Sequence, residues 1–272
     1  MSAGENLVFS RVRIATGLEL HYAEQGDPKG TPVLFLHGWP DSWFTFSRVL
    51  PLLAHDVHAF VPDQRGFGDS QRPDSGYAIE DFAADAVAFL DAVGIDRATL
   101  VGHSFGSFVA RRVAIAKPER VAKLMLIGTG FASSNPVIGA LTADLSNLPD
   151  PIPLAFARDF QAGTAYLPLP GAFFERIVAE SLKLPARLWP LMIEKLIAYD
   201  DEPELRRISA PTLLLWGERD ALFSRREQER FAAAKPDARL MVLPETGHCP
   251  NWERPAEVAA VIDALMRENV RA

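Results

Sequence analysis

Residues 98–116 read ATLVGHSFGSFVARRVAIA and contain the most informative pattern of the chain. The first four residues are apolar or β-branched and predict a buried strand. Gly102-His103-Ser104-Phe105-Gly106 then matches G-x-S-x-G, and apolar periodicity from Ser104 to Ala116 predicts a helix. A strand, a sharp turn and a helix in this order are the setting in which a serine is exposed as a nucleophile. The small residues on either side of the serine allow strand and helix to approach closely.

Strand and helix patterns alternate on both sides of this turn. Short β-branched, apolar runs predict further strands at Pro32–Leu36, Ala59–Val61, Val121–Ile127, Thr212–Trp216 and Arg239–Leu243, with a hairpin formed by Val8–Ala15 and Leu18–Ala23. Helical periodicity, capping and proline placement predict helices at Ser42–Ala54, Ile79–Val93 and Pro255–Glu268, and another that begins at Ser224. This alternation predicts an α/β fold, a mostly parallel sheet of about eight strands with helices on both faces.

The alternation stops between residues 131 and 208. This segment has helical patterns, lacks a convincing strand and holds nine of the 21 prolines, which predicts short helices separated by turns. Because strand patterns resume after it, the segment is predicted to be an insertion into one sheet. We therefore expect a core domain made of residues 1–130 and 209–272, with residues 131–208 as an inserted helical unit.

Composition and charge exclude several classes of function. The chain of 272 residues carries a net charge of −7 and has no basic run, which argues against a nucleic-acid partner. Its single cysteine excludes an internal disulfide and fits a reducing compartment. Residues 1–10 do not resemble a signal peptide, and no apolar run is long enough to span a membrane. These observations predict a cytoplasmic protein that acts on a small molecule, without membrane association, as a monomer or homodimer.

A serine hydroxyl needs a general base before it attacks a carbonyl group, and histidine suits that role at neutral pH. Of the six histidines only His248 follows Ser104, and this architecture orders its triad as serine, acid, histidine. A carboxylate must orient the imidazole. Asp220 follows the predicted strand Thr212–Trp216 and is the predicted acid, with Glu218 as the alternative. The loops that carry Asp220 and His248 follow the carboxyl ends of predicted strands, where ligands bind to open α/β sheets.

A further loop, His37-Gly38-Trp39-Pro40, follows the predicted strand Pro32–Leu36. Such a loop can direct a backbone N–H at the substrate oxygen, and the residue after the nucleophile supplies a second donor. The backbone N–H groups of Trp39 and Phe105 are therefore the predicted oxyanion hole. A simple turn is the alternative interpretation of the His-Gly pair.

Taken together, these segments resemble the α/β-hydrolase fold over nearly the whole chain. The resemblance rests on the His37–Pro40 loop, the run Asp63–Ser70 (DQRGFGDS), the G-x-S-x-G turn, and the loops of Asp220 and His248. The His-Gly-Trp-Pro sequence is similar to that of the cofactor-free haloperoxidase, perhydrolase and esterase branch, and of epoxide hydrolases and dehalogenases. The last two classes carry aspartate at the nucleophile position, and Ser104 argues against their alkyl-enzyme chemistry.

The resemblance implies a serine hydrolase that cleaves carboxylic esters of small to medium apolar substrates through an acyl-enzyme, with residues 131–208 as a cap. Hydrolysis of a C–C bond, a lactone or an amide is the alternative, and a sensor that only binds its ligand is a third hypothesis. Because related perhydrolases share the Trp39-Pro40 step, a peracid-forming side activity is also predicted. The chain lacks metal-ligand spacings and phosphate-binding glycine loops, so no metal and no cofactor are predicted.

Overall fold

The computed structural model describes residues 7–146 and 148–268. Its strands are β1 (Val8–Arg13), β2 (Glu19–Gly26), β3 (Thr31–Leu36), β4 (Val57–Pro62), β5 (Ala98–His103), β6 (Val121–Ile127), β7 (Thr212–Gly217) and β8 (Arg239–Leu243). They form one sheet in the order β1-β2-β4-β3-β5-β6-β7-β8. β1 and β2 are antiparallel to their neighbours, and all the pairs from β4 to β8 are parallel. The predicted α/β fold with a mostly parallel sheet is confirmed.

The helices that the structure describes follow the predicted alternation. They are α1 (Ile79–Ala92), α2 (Phe105–Ala116), α3 (Pro136–Leu145), α4 (Leu154–Thr164), α5 (Gly171–Ser181), α6 (Leu188–Ile197), α7 (Arg225–Ala234), α8 (Pro250–Glu253) and α9 (Pro255–Arg267). The predicted helix Ser42–Ala54 is wrong, since this segment forms two 3₁₀ turns, Trp43–Phe46 and Leu50–Leu52. Pro51 explains the interruption, because its ring and its missing N–H do not fit inside a continuous α-helix.

Both faces of the sheet are covered, and β3 shows how. Leu34 and Leu36 belong to a core shared with α1 and α2, whereas Val33 and Phe35 belong to a second core shared with α9. All four side chains are at most 1% exposed. Successive residues of a strand point to opposite faces, so a strand buried on both sides needs a continuous apolar run.

Between β6 and β7 the described part of residues 131–208 contains α3 to α6 and no strand. We call residues 131–208 the insertion. Arg111 of α2 forms a buried ion pair with Asp201 near the carboxyl end of the insertion, with Nε and Oδ2 2.9 Å apart. The guanidinium also lies 4.3 Å from the ring centroid of Phe108, a cation–π contact. This pair attaches the insertion to the helix that follows the G-x-S-x-G turn.

Among the described residues, no helix combines the length and apolar character that a membrane span requires. Residues 1–6 and 269–272 of the predicted core domain lie outside the described residues. The prediction that residues 1–10 are not a signal peptide therefore concerns mostly residues outside this range.

Candidate active site

Ser104 sits between β5 and α2 in a conformation that few side chains adopt. Its φ is 49° and its ψ is −121°, and its backbone N–H donates to the Ile127 carbonyl at 2.9 Å. A Cβ atom at Gly106 would lie 2.1 Å from the carbonyl oxygen of Leu36, and one at Gly102 2.5 Å from that of Gly106. Only glycine fits at these two positions, which explains why the pattern requires them.

The predicted base and acid come together at the carboxyl ends of β7 and β8. His248 Nδ1 lies 2.9 Å from Asp220 Oδ2, and both side chains are at most 2% exposed. The other oxygen of Asp220 accepts the backbone N–H groups of Leu222 at 2.8 Å and Phe223 at 3.0 Å. These three hydrogen bonds hold the carboxylate in place, and Nδ1 then carries the proton of the neutral imidazole.

The alternative acid, Glu218, is exposed and points elsewhere. Its Oε2 accepts the backbone N–H of Glu245 at 3.3 Å, and His248 is not among its hydrogen-bond partners. The geometry therefore favours Asp220 over Glu218 as the partner of the imidazole.

The second ring nitrogen of His248, Nε2, is available to accept a proton. Nε2 is buried and has no hydrogen-bond partner within the described part of the chain. The backbone of His248 is held on two sides, by its N–H donating to Thr164 at the end of α4 (2.9 Å) and by His103 Nε2 on its carbonyl (3.2 Å). Burial lowers the pKa of His103 well below its ordinary value, which keeps that ring neutral. His103 thus supports the loop of His248, a role that local sequence does not reveal.

The His37–Pro40 loop lies against the nucleophile. A Cβ atom on Gly38 would stand only 3.1 Å from Ser104 Cβ. His37 is fully buried, and burial lowers its pKa. The ring pairs with the Gly38 carbonyl through Nδ1 at 2.8 Å and accepts the Gln64 N–H at Nε2 at 3.0 Å, which fits the neutral ring. The role of His37 is therefore to fix the loop.

The two residues predicted to supply the oxyanion hole are Phe105, which directly follows Ser104, and Trp39 of the His37–Pro40 loop. Phe105 is the first residue of α2, where backbone N–H groups have no partner within the helix. Trp39 is 7% exposed, follows Gly38 and precedes Pro40 through a cis peptide bond. Its ring packs edge-on against Phe160 and Trp189 of the insertion, with both centroids 5.1 Å away. The insertion thus packs against the His37–Pro40 loop, which we call the oxyanion loop after its predicted role.

Two acidic residues that the sequence analysis does not predict, Asp41 and Glu253, also lie beside the candidate site. Asp41, buried just after the oxyanion loop, accepts hydrogen bonds from Gln161 and Thr45. Glu253 of α8 accepts the backbone N–H of Gly247, next to His248, at 3.0 Å, and those of Tyr166 and Leu167 at 3.1 and 2.8 Å. Both join segments that are distant along the chain, so neither periodicity nor local motifs could indicate them.

A mainly apolar groove of about 550 Å³ opens beside the loop that carries Asp220 and Leu222. It is lined by Pro136, Val137, Ala140, Leu141, Asp144, Asp159, Phe160, Gly163, Thr164 and Leu222. Leu222 and Thr164 connect the groove to the candidate triad, because their backbones hydrogen-bond Asp220 and His248.

One cluster in the described residues has the composition of a cation site. Ligand atoms of His21, Asp63 and Asp69 lie within 4.8 Å of one another. The Asp63 carboxylate already accepts the backbone N–H groups of Trp43 at 2.7 Å and Asp69 at 2.9 Å, and Lys183 Nζ lies 2.8 Å from Asp69 Oδ2. These contacts indicate a structural role in the Asp63–Ser70 run.

Two curated relatives match nearly the whole chain, and each is similar at 29% identity. Haloalkane dehalogenase 2 of Mycobacterium tuberculosis aligns over 263 residues, 89% of this chain and 90% of the relative. The 2-hydroxymuconate semialdehyde hydrolase of Pseudomonas sp. strain CF600 aligns over 272 residues, 94% of this chain and 93% of the relative. Among solved structures, a membrane phospholipase A is 29% identical with a TM-score of 0.82, over 97% of this chain and 86% of that chain.

The family model described as alpha/beta hydrolase fold matches residues 31–255. The match begins at β3, next to the oxyanion loop, and extends past the His248 loop. It therefore includes every segment that contributes to the candidate site. With the sheet order, the strained serine and this match in agreement, the chain belongs to the alpha/beta hydrolase family.

Proposed function

We propose that this protein hydrolyses carboxylic esters of small to medium apolar substrates through an acyl-enzyme on Ser104. The observation that carries the proposal is the pairing of His248 Nδ1 with Asp220 while the buried Nε2 has no partner among the described residues. An imidazole held in this way presents an unprotonated nitrogen, as a general base requires.

In the first half of the reaction, His248 Nε2 accepts the proton of the Ser104 hydroxyl as the Oγ atom bonds to the ester carbonyl carbon. The carbonyl oxygen becomes an oxyanion that accepts hydrogen bonds from the N–H groups of Trp39 and Phe105. Asp220 stabilises the imidazolium that forms. The C–O bond then breaks, and the imidazolium gives its proton to the departing alkoxide.

In the second half, His248 accepts a proton from a water molecule, and the hydroxide attacks the acyl carbon of the Ser104 ester. The same two N–H groups stabilise the second oxyanion. Collapse of this intermediate breaks the bond to Oγ, and the proton on His248 returns to the serine. The free acid leaves, and the enzyme is restored without a net change in protonation.

The insertion is proposed to act as the cap that selects the substrate. Its groove is mainly apolar, and its residues Phe160 and Trp189 pack beside Trp39 of the oxyanion loop. Apolar walls favour apolar acyl or alcohol groups because such groups leave water when they bind.

The identity of the nucleophile separates this proposal from dehalogenation. A carboxylate nucleophile forms an alkyl ester that water can cleave, whereas Ser104 would form a stable ether with an alkyl group. Acyl transfer is the chemistry in which a serine intermediate can be hydrolysed. The dehalogenase relative therefore supports the fold and the pocket of this chain and does not support that activity.

Hydrolysis of a C–C bond is the second candidate, favoured by the semialdehyde hydrolase relative, which aligns over 94% of the chain. A ring-fission vinylogous diketone and an aryl ester of similar size, assayed side by side, distinguish the two. A kcat/KM at least about tenfold higher for the ester than for the diketone supports ester hydrolysis. A kcat/KM higher for the diketone by the same factor would favour C–C bond hydrolysis instead.

The experiment that tests the proposal uses purified protein with p-nitrophenyl esters of increasing acyl length. We expect hydrolysis to favour short and medium chains, and Ser104→Ala or His248→Ala to reduce kcat/KM by about 10³-fold or more. Circular dichroism and melting temperature serve as controls for folding. A folded wild-type protein without ester turnover would refute an esterase and favour a binding role.

A side reaction with hydrogen peroxide is proposed for the Trp39-Pro40 step. We expect peracid formation from short esters and peroxide, lost together with hydrolysis in Ser104→Ala. Pro40→Leu tests whether the proline matters, because it changes the path of the loop that carries Trp39. A lower ratio of perhydrolysis to hydrolysis is expected, and an unchanged ratio would limit Pro40 to a structural role.

A further inference from the structure

Asp41 is a buried carboxylate beside the oxyanion loop that the proposed mechanism does not use. It is 3% exposed. Its backbone N–H donates to the Gly38 carbonyl at 3.1 Å, which closes the turn Gly38–Asp41. A Cβ atom on Gly38 would lie 3.4 Å from Asp41 Oδ2 and 3.1 Å from Ser104 Cβ. The carboxylate therefore folds over the turn that lies against the nucleophile.

The hydroxyl group of Thr45 can only donate to Asp41. Thr45 Oγ1 already accepts the indole N–H of Trp252 at 2.7 Å and an amide hydrogen of Asn251 at 3.2 Å. A hydroxyl oxygen has two lone pairs and one hydrogen, so its remaining hydrogen is directed at Asp41 Oδ2, 3.2 Å away.

Gln161 of α4 is likewise a donor to Asp41. Its Nε2 lies 3.0 Å from Asp41 Oδ1 and 2.7 Å from Ser181 Oγ. Ser181 donates its own hydrogen to the Ile177 carbonyl at 2.9 Å, so it accepts from Gln161. One amide hydrogen of Gln161 therefore faces each partner, and both oxygens of Asp41 must accept.

The ionised carboxylate offers full acceptor capacity to both donors, whereas protonation of one oxygen removes a lone pair and weakens the hydrogen bond that this oxygen accepts. Burial acts in the opposite direction and, as the largest effect, raises the pKa of Asp41 to about 6. Gln161, Thr45 and the nearby His248 lower the pKa of Asp41, and Glu180 raises it.

Other titratable groups lie near Asp41. They are His248 and Cys249 from the loop after β8 and Glu180 from α5. His103 of β5 and His37 contact the adjacent Gly38. Glu180 is itself paired with Arg176 at 2.6 Å and Lys183 at 3.0 Å.

We propose that Asp41, as a carboxylate, is a positioning residue that holds the oxyanion turn Gly38–Asp41 against Ser104 by accepting hydrogen bonds from Thr45 and from Gln161 of the insertion. The proposal rests on the proposed ester hydrolysis for its catalytic meaning. It makes the geometry of the oxyanion hole depend on the insertion, because Gln161 belongs to α4. Protonation of Asp41 weakens one of its two acceptors and amidation replaces one with a donor, and either change releases the turn.

The first test compares wild type with Asp41→Asn across the pH range, using kcat/KM for a short p-nitrophenyl ester. The asparagine cannot accept on both sides at any pH. At about pH 8 we expect kcat/KM of Asp41→Asn to be about tenfold lower than that of wild type. The ratio of wild-type to variant kcat/KM should fall towards one at about pH 5, where Asp41 is protonated in the wild type. Asp263→Asn is the matched control. Its carboxylate accepts the Ala54 N–H at 3.0 Å, and its ratio to wild type should stay near one.

A ratio for Asp41→Asn that does not change with pH would overturn the proposal, since a merely structural loss would be similar at both values. Gln161→Leu should lower kcat more than it raises KM, and adding it to Asp41→Asn should cause little further loss. Fully additive losses would show that the two residues act separately.

Hydrogen exchange provides a readout that does not depend on turnover. The amides of Gly38, Trp39 and Asp41 should exchange faster in Asp41→Asn than in wild type at about pH 8, and equally at about pH 5. Equal exchange at both pH values would refute the positioning role. If the wild type hydrolyses no ester but exchange differs as expected, the proposed function fails while Asp41 still holds the turn.

Discussion

Ser104 shows how much a single backbone conformation determines in this molecule. A positive φ at a non-glycine residue costs about 1–3 kcal/mol and persists only where the surroundings impose it. Here the surroundings are the hydrogen bond to Ile127 and the close approach of Gly106 to Leu36. The strain lifts the hydroxyl out of the turn and leaves it half-buried, where a substrate can reach it.

The assignment of the acid can be tested with two neighbouring carboxylates. Asp220→Asn should lower kcat/KM by about 10²- to 10⁴-fold, because the amide cannot hold Nδ1–H and stabilise the imidazolium equally well. Glu218→Gln is the matched control, two residues away and exposed, and should change activity less than about twofold. A larger loss in Glu218→Gln would assign the acid to Glu218.

At this scale the residues of the candidate triad could be predicted, since each stands next to a recognisable strand and their order along the chain is constrained. Asp41 and Glu253 could not. Gln161 lies far from Asp41 in sequence, and residues 166–167 lie far from Glu253, so these contacts leave no periodic or local pattern.

Among the elements, β5 and α2 determine the geometry of the candidate site, because the turn between them carries Ser104. Their separation is set by Gly102 and Gly106, where no Cβ atom fits. The strand pattern was predicted well because buried parallel strands are continuous apolar runs. The segment Ser42–Ala54 was predicted wrongly, because its apolar spacing suits a helix although Pro51 interrupts it.

Two glycine-to-alanine variants test the packing of this turn. Gly106→Ala should lower the free energy of unfolding by several kcal/mol, or prevent folding, because its Cβ would meet Leu36 O at 2.1 Å. Gly139→Ala in α3 should be neutral or stabilising by about 0.5–1 kcal/mol, since nothing lies within 4 Å of its Cβ. Urea denaturation measures both. Equal stability of the two variants would contradict the close approach at the turn.

In the whole molecule, the insertion and the core meet at the loop that carries His248. Thr164 accepts the His248 N–H, and Glu253 binds backbone amides on both sides of the junction, Gly247 from the core and Tyr166 and Leu167 from the insertion. The proposed cap and the proposed base therefore share a set of hydrogen bonds.

Glu253→Gln tests this junction. Its side-chain amide would oppose one of the backbone donors, so we expect about 1–3 kcal/mol lower stability and a several-fold lower kcat. Glu257→Gln is the matched control one turn away. Its ion pair with Arg254 at 3.7 Å is on the surface and should matter by less than about 1 kcal/mol. Identical unfolding curves and kinetics for the two variants would show that Glu253 does not couple insertion and base.

The position of β8 at the end of the sheet order also bears on how the protein is made. Synthesis runs from the amino terminus, so Ser104 is made before β8 and His248. On the proposed assignment, a chain that stops before β8 carries the nucleophile without its base, and we expect it to be inert towards esters. Ester hydrolysis then depends on the pairing of one short peripheral strand, β8, with β7.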